Sequence, residues 1–206
     1  NQVRAPFAPT AEQAGQRALA NMILGLITRL DGWTEARKQF ETADNMTSTL
    51  GALGALLSCE YGMNASQQFY ETWKHERLVI DKWFSIQMTH AKPEEALDVV
   101  NRLSAHPDFS IKNPNRFRSV FGPFAGHAGF HAPDGGGYET LADWLIKLDK
   151  INPQPTARSC SAFDSWRIFA PERQTQMQTA MQRILDQEDL SRDTCEMLTR
   201  ILGEDG

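Results

Sequence analysis

The sequence has little cysteine. Cys59, Cys160 and Cys195 are its three thiols, far apart and without a C-x-x-C pair. That spacing excludes a dense disulfide framework and argues against a structural zinc site, so a reducing, cytoplasmic compartment is the expectation. No apolar run approaches the roughly 20 residues that cross a bilayer. Residues 1–10 lack the charged-then-apolar order of a signal peptide, and the absence of an initiator Met suggests a fragment. The 21 Lys and Arg against 26 Asp and Glu give a formal net charge of -5, with the basic side chains scattered. A nucleic-acid footprint needs them clustered, so neither nucleic acid nor membrane is an expected partner.

Runs of alternating β-branched residues are also lacking, whereas apolar residues recur at helical spacing almost from end to end. The chain therefore reads as all-α. Thr10 and Gln13 form a capping-box pattern opening a helix to about Leu30, with Leu19, Ile23, Leu26, Ile27 and Leu30 as its apolar stripe. Further helices are expected over about 34–43, 45–60, 64–75 and 79–89. The 45–60 stretch sets leucines among Gly and Ala, which implies close packing, and Asn64 with Gln67 repeats the capping pattern.

Pro93, Pro114, Pro153 and Pro171 each sit where a first helical turn belongs, because the missing N–H costs nothing there. Asn113 and Asn152 precede two of them as candidate caps, and Ser191 is a third cap before the last helix. The pattern predicts about ten or eleven helices joined by short turns: an irregular α-solenoid, a superhelical stack of antiparallel helix pairs, forming one domain over 1–206. One stretch stands out as a loop. Gly122–Gly137 holds six Gly, two His and two Pro in sixteen residues.

Chemical motifs are scarce. Metal-assisted peptide hydrolysis on a helix needs H-E-x-x-H, and the sequence has none. His127 and His131 share the i, i+4 spacing but lie in the Gly-rich stretch, where that spacing does not make two imidazoles converge, so no metal site is expected. Asp134 to Gly137 lacks the Lys-Ser/Thr of a phosphate loop and reads as a turn before a helix. Cys59 and Cys195 fall on helices, and Cys160 lies near Arg158 without a clear activating base. Aromatics from Phe69 to Phe84 read as core.

A set of short stretches occurs in a telling order. It runs from Ala43-Asp44-Asn45-Met46-Thr47 through Leu78 to Phe84, His106-Pro107-Asp108-Phe109 and Asn113 to Ser119, then Phe130-His131 and Asp134 to Tyr138. It ends with Leu148 to Gln154, Ala157-Arg158 and Arg173-Gln174. Together, over about Gln16 to Leu202, they resemble the C-terminal helical domain of bacterial aminopeptidase N, the alanyl aminopeptidase type among gluzincin zinc peptidases.

The resemblance implies a larger hydrolase that removes N-terminal residues from peptides. Its zinc and H-E-x-x-H would lie in a catalytic domain outside this chain, beside β domains of the same polypeptide. The chain alone, holding no catalytic residue and no cofactor, is expected to be inactive. It also implies that this domain encloses the active-site cavity and helps admit and position peptide substrates. Arg118, Gln154 and Arg158 match cavity-lining positions, and a guanidinium fork there suits a peptide carboxylate or carbonyl. A plainer alternative is that Arg116, Arg118 and Arg158 cap helix carbonyls or pair with acidic neighbours. Asp44, Asn45, Asp81 and Lys82 are more simply read as buried inter-helix hydrogen-bonding groups. The competing function is an independent helical scaffold binding a protein or extended peptide on its concave face.

Overall fold

The computed structural model describes residues 7–203, and among these every regular element is helical. Eleven α-helices occur in chain order: α1 (Ala11–Asp31), α2 (Thr34–Thr42), α3 (Met46–Leu57), α4 (Gly62–Trp73), α5 (Arg77–Thr89), α6 (Ala96–Ser104), α7 (Pro114–Ala125), α8 (Gly136–Asp149), α9 (Pro153–Ser159), α10 (Pro171–Leu185) and α11 (Arg192–Leu202). Short 3-10 turns occupy Pro93–Glu95, Ala128–His131, Cys160–Phe163 and Trp166–Ile168. Backbone contacts group into two compact units, Asn1–Ala91 and Lys92–Gly206.

In the first unit α1 and α2 both pack on α3, which packs on α4 and α5. The small residues of α3 are there for that reason. A Cβ on Gly51 would run into the Asn21 side chain of α1, and one on Gly54 would meet the His90 ring. Asn45 caps α3, its Oδ1 accepting the Ser48 N–H at 2.9 Å. The aromatic stretch is core: Phe69, Trp83 and Phe84 are buried. Trp83 Nε1 donates to the Ser66 carbonyl and Oγ at 2.9 and 3.0 Å, tying α5 to α4. Asp44 and Lys82 are exposed, however, so burial does not explain them.

Two further expectations fail in this unit. Asn64 lies inside α4, which opens at Gly62 with Tyr61 before it and no side-chain cap. A Cβ on Gly62 would strike the α3 backbone at Leu56 and Leu57, so close packing sets this helix start. The apolar stripe of α1 is also not its packed face. Arg17, Leu24 and Thr28 are the buried residues, whereas Leu19, Ile23, Leu26 and Leu30 are exposed. The inward side is largely polar, and its groups are paired apart from Arg17 Nε, which is buried without a hydrogen-bond partner. Thr28 donates to the Leu24 carbonyl at 2.8 Å, Arg17 donates to Gln13 Oε1 at 3.1 Å and lies over the Phe7 ring, and Asn21 accepts from Gln39 at 2.9 Å.

In the second unit α8 is central, packing against α6, α7, α9 and α10, while α11 packs on α9 and α10. The Gly-rich stretch is not a loop but the end of α7, a 3-10 turn and the start of α8. Its glycines permit close approach: a Cβ on Gly129 would strike the Pro93 carbonyl, and one on Gly137 the Phe130 carbonyl. Phe124, Phe130, Tyr138 and Phe163 fill the space beneath, wholly buried.

Candidate functional site

The residues singled out by sequence lie on α7 and α9, both packed on α8. Helix α7 starts where Asn113 Oδ1 accepts the N–H groups of Asn115 and Arg116 at 3.1 and 3.3 Å, with Pro114 at the first position. That start fixes the phase of the following residues. Arg116 and Phe117 turn inward and Arg118 outward. The Arg116 guanidinium donates to the Asp108 carbonyl, and the Asp108 N–H donates to His106 Nδ1 at 3.2 Å. The His-Pro-Asp-Phe and Asn-Pro-Asn-Arg motifs are therefore two halves of one structural lock. Burial, helped by Arg116 and Arg102 against the opposing pull of Asp108, lowers the His106 pKa. Arg116 thus binds the carbonyl of a turn residue rather than the end of a helix.

Arg118 is exposed, its Nη2 donating to Asn115 Oδ1 at 3.3 Å one turn back. Gln154 and Arg158, one turn apart on α9, are exposed too, and neither side chain has a hydrogen-bond or ion-pair partner among the described residues. Gly122 leaves room beside the Arg118 stem, with Cγ 3.5 Å from where a Cβ would stand.

Beneath α9, Asp149 closes α8 and is 4% exposed. It accepts from the Ser191 N–H at 2.8 Å, Ser191 Oγ at 2.6 Å and Thr194 Oγ1 at 2.6 Å, while Ser191 Oγ in turn caps α11 by accepting from the Thr194 N–H at 3.4 Å. The Leu-Asp-Lys motif is thereby a tie from α8 to α11. Sequence reading found the Ser191 cap but missed its acidic partner, because a residue pair 42 positions apart leaves no periodic signal. Asn152 differs from Asn113: its side chain caps nothing, and its backbone carbonyl instead accepts from Thr156 Oγ1 at 2.9 Å.

The groups that invite chemical readings are engaged structurally. His127 Nδ1 accepts the Gly129 N–H at 3.1 Å, and the His131 ring pairs with Tyr138 Oη at 2.9 Å and stacks on Phe169 at 4.3 Å. Among the described residues no three metal-ligating side chains gather. Cys160 is fully buried, and burial followed by the nearby Asp149 pushes its thiol from 9.0 up to about 12, so it is no thiolate nucleophile despite Arg158 in sequence. Helix α10 carries further arginine contacts, one from the Arg173-Gln174 stretch and one from Arg183, which sequence did not single out. Arg173 donates to the His131 carbonyl at 2.9 Å, and Arg183 bridges Glu139 and Asp143 of α8 at 3.0 and 2.7 Å.

The fold so described is one of packed helix pairs in which exposed guanidinium and amide groups stand on helices anchored from below. The chain belongs to the family described as a domain of unknown function (DUF3458_C) with ARM repeats, whose model matches residues 1–203. It is 34% identical to aminopeptidase N of Caulobacter vibrioides over 98% of its length, 36% to that of Haemophilus influenzae over 94%, and 37% to that of Escherichia coli over 80%. It spans about a quarter of the length of these curated relatives, 24%, 23% and 19% respectively. A crystal structure of Legionella pneumophila aminopeptidase A in complex with aspartic acid superposes with a TM-score of 0.89 at 30% identity, covering 98% of this chain and 25% of that one.

Proposed function

We propose that this chain is the C-terminal helical domain of a zinc aminopeptidase, a hydrolase that shortens peptides from the N-terminus, and that it helps enclose the active-site cavity and position the peptide. The observation that carries the reading is the similarity at 34–37% identity, along most of the chain, to three curated aminopeptidase N proteins. The chemistry of bond cleavage would reside outside this chain, with zinc supplying a polarised water there. This domain would contribute binding, and no step of hydrolysis is assigned to its residues.

The contribution we assign to Arg118, Gln154 and Arg158 is contact with the part of the peptide remote from the scissile bond. A guanidinium without a carboxylate neighbour keeps its donors for a ligand, and Arg158 with Gln154 one turn away offers a charged fork beside a neutral amide donor and acceptor. Such contact stabilises ground state and transition state alike. Replacing Arg158 by Ala in the complete polypeptide should raise KM for tetrapeptides and longer substrates about ten-fold, with kcat and the hydrolysis of an aminoacyl anilide unchanged. Arg118→Ala should act in the same direction. Unchanged peptide kinetics in both variants would remove the positioning role.

A further inference from the structure

Among the described residues α1 packs chiefly against α2 and α3, and it is amphipathic the wrong way round for that packing. Gly15, Leu19, Met22, Leu26 and Leu30 follow one another at four, three, four and four residues, which keeps them on one helix face, and they lie opposite buried Arg17, Leu24 and Thr28. Leu19, Met22, Leu26 and Leu30 are 54%, 60%, 53% and 83% exposed, and Ile23 beside them is 40% exposed. Between Glu12 and Arg29 the one charged residue is Arg17, and it is buried. Gly25, on the flank of α1, has open space where a Cβ would stand, and so does Gly15 on the exposed face. Gly51, Gly54 and Gly62, by contrast, each make room for a packed neighbour. A helix-interior glycine costs about 1 kcal/mol relative to Ala, so an open one is unaccounted for by its own unit.

We infer that this face of α1 is a docking seam for an amphipathic helix from the remainder of the aminopeptidase polypeptide, laid across Gly15, Leu19, Met22, Leu26 and Leu30. The commitment to that occupant rests on the preceding proposal of a larger enzyme and on two observations. Stacked helical repeats bury their faces by contact with the next repeat, and only terminal repeats carry a polar outer side. α11 has such a side, with Arg192, Asp193, Glu196 and Arg200, and α1 has not. The curated relatives, moreover, extend over about four times the matched length. The partner helix should present an apolar stripe without charge at its centre and a bulky residue over Gly15.

The test is thiol labelling, which needs no peptidase activity and so fails or succeeds separately from the functional proposal. In a background with exposed Cys195 replaced by Ser, Leu19→Cys and Leu26→Cys are compared with Ile168→Cys, whose site is 81% exposed. In the 206-residue chain all three should react with a maleimide at similar rates. In the complete polypeptide the two α1 thiols should react at least about ten-fold more slowly than the Ile168→Cys thiol, independently of concentration. Equal rates in the complete polypeptide would overturn the inference. Protection already present in the short chain, or growing with its concentration, would assign the face to the chain itself or to a second copy and would equally overturn it.

Discussion

At the scale of single residues, the second unit depends on a few buried polar groups whose partners lie far away in sequence. Asp149 gathers three donors from the start of α11 in a place where water cannot replace them. Truncating it to Ala would strand Ser191 and Thr194 as well as remove charge-assisted bonds. The loss should be on the order of 3 kcal/mol in urea unfolding, and a loss below about 1 kcal/mol would show the tie to be slack. Cys160 makes a pH prediction of definite sign. Its thiol titrates at about 12 when folded against 9.0 ordinarily, so above pH 9 the unfolded chain binds fewer protons than the native one. The associated stability is complete below pH 9 and is lost toward pH 12, with a slope near 1.4 kcal/mol per pH unit. Unfolding measured from pH 8 to 11 should therefore fall less steeply for Cys160→Ala than for the parent sequence, and parallel curves would refute it.

At the scale of elements, proline and periodicity made most helix positions readable, while cap chemistry was read only in part. Asn113-Pro114 and Asn152-Pro153 look alike in sequence, yet one asparagine accepts two N–H groups and the other none. The backbone leading in differs: Asn152 lies three residues past the end of α8 with its N–H donating to the Leu148 carbonyl at 2.8 Å, and its φ is -152° against -96° at Asn113. Asn113→Ala should cost about 1 kcal/mol and Asn152→Ala a few tenths at most, a contrast that paired thermal melts would resolve. α1 shows the converse limit. Periodicity finds its stripe, but the direction a stripe faces depends on which neighbours exist, and Asn21 pairing with Gln39 of α2 and the Thr47 carbonyl of α3 holds the opposite side inward. The Gly-rich stretch reads as a loop because composition registers glycine as flexibility, whereas Gly129 and Gly137 serve close contact.

At the scale of the whole molecule, the all-helical class followed from periodicity alone, whereas the division at Ala91–Lys92 left no trace in the sequence beyond a proline that also starts a helical turn. The proposal for Arg118, Gln154 and Arg158 rests on resemblance alone, because exposed polar side chains on helices carry no pattern of their own. Lys92–Gly206 holds the long-range ties described for Asp149 and Arg183, and also Trp166 Nε1 donating to the Ile201 carbonyl at 3.0 Å. Its aromatic core, from Phe117 to Phe163, likewise lies within its own bounds. A segment of about this size with its own core, and with its buried polar side chains paired apart from Gln176 Oε1 and Arg183 Nε, meets the requirements for independent folding. Expressed alone, Lys92–Gly206 should show helical far-UV dichroism, fixed aromatic signals in the near-UV from buried Tyr138 and Trp166, and one cooperative urea transition. Helical signal without near-UV structure would mean that the unit gains its packing only from its neighbours in the chain.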